Sequence, residues 1–439
     1  MKYDIIIIGA GPGGYEMALE ASKHNQKVLL IESNKIGGTC LNAGCIPTKT
    51  LYKNAKLLYQ LKNINNFGIN IDSFSFDYSK VLSQKNEVIK RLQEGINFLL
   101  QKANIDLIYG KAIITSHNTI TVNNEEYEGN YIVIATGSKP ISLPSFEEAI
   151  YAEDLLDFTK IPESLSIIGG GVIGIEMATI FNQFGTKVQI FEMSDRLLPQ
   201  ADLEISKRIS SFLRNEGIGV YVNARAEKFQ NKILTVSIRN IIQTFETENV
   251  LVAVGRKPNI DVKSLDDLGI KYNNKGIIVN DNFQTSINNI YAIGDVCGKN
   301  MLAHYATYSG KKALNHILGK NSNINFDLVP SVVFTFPEIS WVGLTEEKCK
   351  SLNINYQVYK SLYRANGKAL ADHEIDGFVK IIVINDYIRG VHIIGYDAST
   401  LIHEMVAAMN VNITKDKFLD IIHAHPTLSE IFYTTLNSS

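Results

Sequence analysis

Several things are scarce in this chain, and each scarcity narrows what it does. No apolar run approaches the ~20 residues that a membrane-spanning helix needs. A net charge of −2 over 439 residues gives no electrostatic reason to expect nucleic acid or an anionic membrane as partner. Four cysteines are too few for a secreted disulfide scaffold, and a redox-active pair in a reducing compartment fits the count better. No second Cys/His pair stands at a spacing that would complete a metal site. Met1-Lys2-Tyr3-Asp4 runs directly into Ile5-Ile6-Ile7-Ile8-Gly9 without a targeting signal, so the expected setting is cytoplasmic. What remains is an ordinary globular composition, 45% hydrophobic and 20% charged, long enough for about three domains.

One stretch organises the rest: Gly37-Gly38-Thr39-Cys40-Leu41-Asn42-Ala43-Gly44-Cys45-Ile46-Pro47-Thr48-Lys49. A regular helix separates residues five apart by about 7.5 Å of rise. A disulfide wants its Cα atoms roughly 4.4–6.8 Å apart. Bonding Cys40 to Cys45 therefore requires a bent or tightened segment, and Gly44 lowers the steric cost of that bend. Two unrelated core thiols are the lesser alternative to a bonded pair at this point. Cys297 and Cys349 have no partner at a useful spacing and read as plain thiols.

Upstream, Ile5 to Ile8 reads as a strand buried on both faces of a parallel sheet. It feeds Gly9-Ala10-Gly11-Pro12-Gly13-Gly14, then a helix, then the strand Val28-Leu29-Leu30-Ile31 ending at Glu32. In such a unit Gly9 makes the tight turn, Gly11 lets a pyrophosphate approach the backbone, and Gly14 lets helix and strand pack. The helix N-terminus faces the phosphates and Glu32 accepts from a ribose hydroxyl. G-x-G-x-x-G alone is weak evidence; in a strand–turn–helix–strand–Glu context it is strong.

The unit occurs twice. Leu165 to Ile168 leads into Gly169-Gly170-Gly171-Val172-Ile173-Gly174, a helix, the strand Val188 to Phe191, and Glu192. The offset from first glycine to acid is 32 − 9 = 23 in one copy and 192 − 169 = 23 in the other. A second echo follows: Tyr131-Ile132-Val133-Ile134-Ala135-Thr136-Gly137-Ser138-Lys139-Pro140 against Asn249-Val250-Leu251-Val252-Ala253-Val254-Gly255-Arg256-Lys257-Pro258. Two dinucleotide-binding folds suggest two dinucleotides, a tightly held flavin and a diffusible nicotinamide. Glu192 would bond a free 2′-hydroxyl and repel a 2′-phosphate, which favours NAD over NADP. Arg196 lies four residues on, and its plainer role is a surface charge.

Between the two units, residues 48–101 read as long helices, and Leu107 to Ala112 as a strand closing back on the first sheet. Gly294-Asp295 follows a further strand; Asp295 suits either a polar cofactor group at a sheet switch point or a helix cap. Past the polar linker 321–325, Ser331 to Phe336 and Val379 to Ile384 read as strands of a separate α+β domain. It ends in Ile422-His423-Ala424-His425-Pro426-Thr427-Leu428-Ser429-Glu430. Thr427 and Glu430 fit a capping box opening the last helix. The functional alternative makes His425 a general base and Glu430 its orienting carboxylate.

Taken together, Gly37 to Lys49, the two fingerprints, Ala135-Thr136-Gly137, Gly294-Asp295 and His425 to Glu430 resemble the pyridine nucleotide–disulfide oxidoreductase family, essentially end to end. Within it the resemblance is greatest to the dihydrolipoamide dehydrogenase branch, on Cys40-Leu41-Asn42, Ala365 to Ala369, Val391 to Gly395 and His423-Ala424-His425. Mercuric reductases end in a vicinal cysteine pair and high-molecular-weight thioredoxin reductases in a redox extension, whereas this chain ends Leu436-Asn437-Ser438-Ser439.

The resemblance implies an α/β fold with two Rossmann-like domains, for FAD and NAD, plus a C-terminal α+β dimerisation domain. The expected boundaries are 1–145 (FAD, first part), 146–265 (NAD), 266–320 (FAD/central, second part) and 321–439 (dimerisation). It implies Cys40 as the thiol that meets substrate and Cys45 as the thiol facing the flavin. It implies His425 and Glu430 acting across a homodimer. FAD contacts would come from Gly9, Gly11, Gly14, Glu32, Gly38, Thr39, Lys49, Ala112, Ala135, Thr136, Gly137, Asp295 and Ala303. NAD contacts would come from Gly169, Gly171, Gly174, Glu176, Glu192 and Gly255, with Lys49 pairing to Glu176; a solvated helix lysine is the plainer role of Lys49. Ser309 departs from the family, where Glu is usual, and Thr48 stands where many relatives have Ser. The implied activity is reoxidation of dihydrolipoyl groups with reduction of NAD⁺. The lipoyl domain and acyltransferase core of a 2-oxo acid dehydrogenase complex would be its partners, since no lipoyl domain is attached. The alternative is an NAD(P)H-dependent disulfide reductase resembling glutathione or mercuric reductases.

Overall fold

The structure is a computed structural model, and it describes residues 2–62 and 64–438. It divides into two compact units. The first joins Met1–Thr50, Ser79–Ile141 and Gly255–Ile324; the second joins Leu51–Tyr78, Ser142–Val254 and Asn325–Ser439.

The first unit is built on a seven-stranded sheet. Across it run Asp106–Tyr109, Val28–Glu32, Lys2–Ile8, Glu125–Ile134, Thr119–Val122 and Ile113–Ile114, with Ile290–Ala292 also pairing Glu125–Ile134. The pairs from Asp106–Tyr109 to Glu125–Ile134 are parallel, with Ile5 opposite both Val28 and Tyr131. The isoleucine run of the first strand follows from this, because a central parallel strand has no wet face. Ile5, Ile6 and Ile7 are completely buried. Helices Pro12–Ser22 and Ala303–Ile317 lie against each other so closely that a Cβ on Gly310 would meet the Gly13 carbonyl at 3.0 Å.

The echoing segments of the sequence meet each other here. Ser138–Pro140 and Arg256–Pro258 form a two-stranded antiparallel ribbon, Lys139 opposite Lys257. What reads in sequence as a repeat is thus also a pairing.

The second unit contains the second fingerprint, in a four-stranded parallel sheet ordered Gly219–Val222, Lys187–Glu192, Ser164–Ile168, Asn249–Val252. A three-stranded antiparallel meander, Ala224–Gln230, Ile233–Ile238 and Ile241–Glu246, covers Phe191 and Val250 with Leu234 and Val236. The C-terminal part of the unit is a five-stranded antiparallel sheet ordered Ser331–Val333, Glu338–Gly343, Tyr387–Gly395, Phe378–Ile384, Gln357–Leu362. Helices Ala398–Asn410 and Glu430–Leu436 close its core through Leu401, Ile402, Met405, Ile431 and Phe432. Lys380, on this sheet, is buried and its ammonium meets Asp202 at 2.9 Å, Glu204 at 3.1 Å, and Glu346. Those three carboxylates gather around a lysine, which already supplies the cation such a cluster requires. Among the described residues no helix is long and apolar enough to cross a membrane.

Candidate active site

The two glycine turns are built alike. In the first, the Gly9 N–H donates to Ile31 and the Ala135 N–H to Ile8; in the second, Gly169 donates to Phe191 and Ala253 to Ile168. Gly9 and Gly169 sit at φ +110° and +107°, and a Cβ on either would lie 2.3 or 2.5 Å from the carbonyl of Ala135 or Ala253. Gly14 and Gly174 leave no room for a Cβ either, which would stand 1.9 and 2.1 Å from the carbonyl of the first glycine of each turn. No side chain fits at these four positions. The helices that follow, Pro12–Ser22 and Val172–Gln183, present their unpaired N-terminal amides at Gly11 and Gly171.

The acids at the second-strand ends do more than the sequence suggests. Glu32 accepts from the Ala10 N–H through Oε2 and from the Asn34 N–H through Oε1, both at 2.8 Å. Glu192 repeats this with Gly170 at 2.6 Å and Ser194 at 2.7 Å. Each carboxylate therefore braces its own glycine turn, and the second lone pair on each oxygen keeps capacity for a ribose hydroxyl. Arg196 is engaged elsewhere in its unit: it donates to Glu347 at 2.9 Å and to the Pro199 carbonyl at 3.1 Å. That pairing removes the obvious cation for a 2′-phosphate.

The redox segment is bent at Gly44. A short helix, Gly38–Ala43, stops there, and a second helix, Cys45–Lys62, starts with the other cysteine. Pro47 sits in the first turn of that helix, where its missing N–H costs nothing. The segment is stitched to the first glycine turn: the Gly37 N–H donates to Ala10 at 2.8 Å, and a Cβ on Gly38 would lie 2.8 Å from the Gly11 Cα. Asn42 holds the bend from inside, donating to the Ile36 and Gly38 carbonyls and accepting from Gln93. Cys40 and Cys45 are half-buried thiols within hydrogen-bonding reach of each other. The Cys40 thiol is pushed up, first by its hydrogen bond with Cys45 and then by burial, while the Lys49 charge pulls the other way. A thiol raised in this way is a poorer source of thiolate, so a base near this segment would assist its chemistry.

His425 and Glu430 belong to the second unit. His425 Nδ1 lies 2.9 Å from Glu430 Oε1, and the Thr427 N–H donates to Oε2 at 2.7 Å. Only half of the expected capping box forms, since the Thr427 hydroxyl donates to Ala424 and the last helix opens at Glu430 itself. One carboxylate thus caps the turn and orients the ring. Glu430 is held below the usual carboxylate range, first by the Thr427 amide and then by His425. The His425 side chain is 79% exposed in the single chain.

The remaining expected residues fall as follows. Thr39 lies in the short helix with Cys40, Ala112 in the turn before strand Ile113–Ile114, and Ala303 opens the helix Ala303–Ile317. Ala135, Thr136 and Gly137 follow strand Glu125–Ile134, and the Thr136 hydroxyl donates to Asn259 at 2.7 Å. Asp295 accepts from the Ser138 hydroxyl at 2.6 Å, and Arg256 donates to that hydroxyl and to the Ser138 carbonyl, each at 2.8 Å. Burial raises the Asp295 carboxyl, with Ser138 and Arg256 opposing. Ser138 and Arg256 were visible in sequence only as members of the echo. Gly255 lies in the first unit, its carbonyl accepting from Ile141. Lys49 is in the first unit and Glu176 in the second, where Glu176 is buried and accepts from the Phe334 N–H at 3.0 Å. Ser309 is fully buried; its hydroxyl accepts from the Gly294 N–H and donates to the Ala306 carbonyl. A serine there ties its helix to the turn carrying Asp295.

Comparison with known proteins agrees with this geometry. Residues 3–310 match the model of the pyridine nucleotide-disulphide oxidoreductases, and residues 329–436 match the dimerisation domain of the same family. The chain belongs to the pyridine nucleotide-disulphide oxidoreductase family, whose cofactors are FAD and NAD. It is 38% identical over 449 residues to a dihydrolipoyl dehydrogenase of Bacillus subtilis, covering 99% of this chain and 98% of that one. It is 38% identical to the dihydrolipoyl dehydrogenase of Mycoplasma genitalium, over 98% of this chain and 97% of the other. Among solved structures, the Cu(II) complex of the HOCl-induced flavoprotein disulfide reductase RclA from Escherichia coli superimposes with a TM-score of 0.88 at 29% identity, covering 99% of each chain.

Both cradles fit a dinucleotide. Around Gly171 a Cβ would find nothing within 4 Å, and around Gly11 only the Gly38 Cα at 4.0 Å, so the space in front of each helix N-terminus is open to a pyrophosphate.

Proposed function

We propose that this chain is a dihydrolipoyl dehydrogenase, oxidising dihydrolipoyl groups presented by a 2-oxo acid dehydrogenase complex and reducing NAD⁺. The observation that carries the reading is the Cys40–Cys45 segment stitched through Gly37 and Gly38 onto the first glycine turn. It puts a dithiol pair on the wall of a dinucleotide cradle. The names of the relatives supply the substrate class.

In this reading Gly9, Gly11 and Gly14 receive the pyrophosphate of FAD, with Glu32 on its ribose. Gly169, Gly171 and Gly174 receive NAD, with Glu192 on the 2′-hydroxyl. When bound, FAD relays two electrons from the reduced cysteine pair to NAD⁺. The His425 Nδ1–H donates to Glu430, which leaves Nε2 with its lone pair outward. Nε2 takes the proton from one dihydrolipoyl thiol. In the oxidised, disulfide-bonded form of the pair, the thiolate attacks Cys40 Sγ, the Cys40–Cys45 bond breaks, and Cys45 leaves as thiolate. The second dihydrolipoyl thiol then attacks its neighbour in the mixed disulfide, and Cys40 leaves with the electron pair and takes up the proton which that thiol loses. Lipoyl disulfide departs, and two electrons rest on the cysteine pair.

A base displayed on the outside of the dimerisation domain suits a homodimer in which His425 serves the other subunit's disulfide. Ile422 at 96% exposure and Val411 at 74%, both preceding it in sequence, are apolar surface that a second copy would cover. Cys45→Ser tests the reading. It should abolish dithiol-dependent NADH formation while leaving electron transfer from NADH to an artificial acceptor. Dithiol-dependent NADH formation that survives the substitution would contradict the reading, and loss of both activities would mean that the substitution disrupts flavin binding instead.

A further inference from the structure

His423 and His425 stand two residues apart and each meets a carboxylate, yet they are built differently. The His425 side chain is 79% exposed, whereas that of His423 is 9% exposed. His423 Nε2 lies 2.8 Å from Glu404 Oε1, and its Nδ1 lies 3.0 Å from the Ile421 carbonyl. Both contacts are to oxygen acceptors, so each nitrogen of the ring faces a fixed partner. Glu404 is carried by the helix Ala398–Asn410, whose Leu401, Ile402 and Met405 are part of the C-terminal core. On another side the Phe418 ring lies 5.6 Å from the His423 ring and packs edge-on against Phe432. The charged groups facing His423 are Glu404 from one helix and Glu430 from the last helix, whose carboxyl the histidine helps to hold low.

His425 has no comparable support of its own. Its contact with Glu430 is an exposed one, and exposed pairs hold a side chain weakly. A ring that must offer Nε2 to a thiol in a fixed direction needs a rigid backbone beneath it. We propose that His423, clamped by Glu404, is a positioning residue for the base. It anchors the chain two residues before His425, so that Nδ1 stays on Glu430 and Nε2 is presented outward. The proposal rests on the reading of His425 as the base, and it adds a second histidine–carboxylate pair whose work is orientation.

The test compares H423N and E404L with the conservative E404Q, which keeps an acceptor oxygen facing Nε2. Three readouts are taken on the full-length flavoprotein: kcat and KM with dihydrolipoamide, NADH-to-acceptor activity, and the ring ¹⁵N–¹H signals of His425. H423N and E404L should lower the dithiol kcat by about 10–100-fold, the usual effect of a misplaced catalytic group. KM and acceptor activity should stay within about twofold, as for a loss confined to the chemical step. E404Q should keep most of the dithiol activity. The hydrogen-bonded Nδ1–H signal of His425 should be present in the unsubstituted protein and lost in H423N. Full dithiol activity in H423N, a parallel fall of both activities, or an unchanged His425 signal would each overturn the proposal. If the unsubstituted protein does not oxidise dihydrolipoamide, the proposed function fails, and the His425 signal still decides whether His423 positions that ring.

Discussion

The two glycine turns share their backbone hydrogen bonds, their positive-φ glycine and their bracing glutamate, and they differ in what lies over them. Gly38 of the redox segment approaches Gly11 of the first turn to van der Waals contact, and Ala306 of another helix lies 3.1 Å from where a Cβ on Gly13 would be. Nothing of the kind stands at Gly171. The first turn thus carries a partial roof of chain from elsewhere in its unit, with the space at Gly11 left clear, whereas Gly171 of the second turn has no such neighbour. A roofed cradle suits a cofactor that stays, and an open one suits a cofactor that comes and goes. On the proposed function one local fold would serve two exchange rates, with the difference set by the neighbouring segments.

The sharpest way to break this comparison is to spoil each turn separately. A Cβ at position 14 or 174 collides with a carbonyl at about 2 Å, so neither turn survives it. Gly14→Ala should give a purified protein without the yellow absorbance of bound flavin and without any activity. Gly174→Ala should stay yellow and lose activity with NAD⁺. Flavin loss in both variants would mean that the two cradles are not independent.

The next effect is at Glu192. Its carboxylate accepts two backbone amides in addition to the expected ribose hydroxyl, and a hydrogen bond to a charged group contributes about 1.5–3 kcal/mol. Glu192→Ser should therefore lower kcat/KM for NAD⁺ by roughly 10–100-fold, with flavin content unchanged. Measured beside NADP⁺, the preference for NAD⁺ should shrink without inverting, because Arg196 is held by Glu347.

The smallest effects compare the roof with the open side. Gly38→Ala would put a Cβ 2.8 Å from the Gly11 Cα, at a φ of +58° that disfavours any side chain, and should speed flavin loss during gel filtration. Gly171→Ala meets nothing and should leave thermal stability unchanged while raising the KM for NAD⁺ several-fold. Equal flavin retention in the two variants would remove the roof from the account.

The pH behaviour of the site also follows in sign. The Glu430 carboxyl is lowered by the Thr427 amide and by His425. Its stabilising contacts are complete above the ordinary carboxylate value and are lost only as pH falls through the depressed one. Loss of the Glu430 pairing therefore belongs to the acidic range, and pH effects on dithiol turnover near neutrality report on other groups.

What the sequence made legible was local and periodic. The two fingerprints could be read because strand, turn, helix and acid lie within a single βαβ stretch, and both recur at the same offset. The bend between the cysteines could be read because Gly44 stands between them. The pairing of Ser138–Pro140 with Arg256–Pro258 could not, since an antiparallel contact between distant segments has no spacing rule. The same holds for Arg196 with Glu347, 151 residues apart, and for the Arg256–Ser138–Asp295 chain. Glu32 and Glu192 were legible as candidate ribose ligands, yet their backbone contacts emerge only from the folded turn. At the C-terminus the Thr427–Glu430 spacing suggested two rival roles. The carboxylate fills parts of both, one oxygen on the amide and one on the ring.

The most direct test of the central claim is NADH formation by the purified yellow protein, after gel filtration has removed all exchangeable nucleotide. Dihydrolipoamide is supplied with NAD⁺ in one assay and with NADP⁺ in another. The account predicts rapid turnover with added NAD⁺, little with NADP⁺, and none with neither, because the flavin remains bound and the nicotinamide does not. Absence of turnover with NAD⁺ by a protein that still carries flavin, together with NADPH-driven reduction of another disulfide, would contradict it.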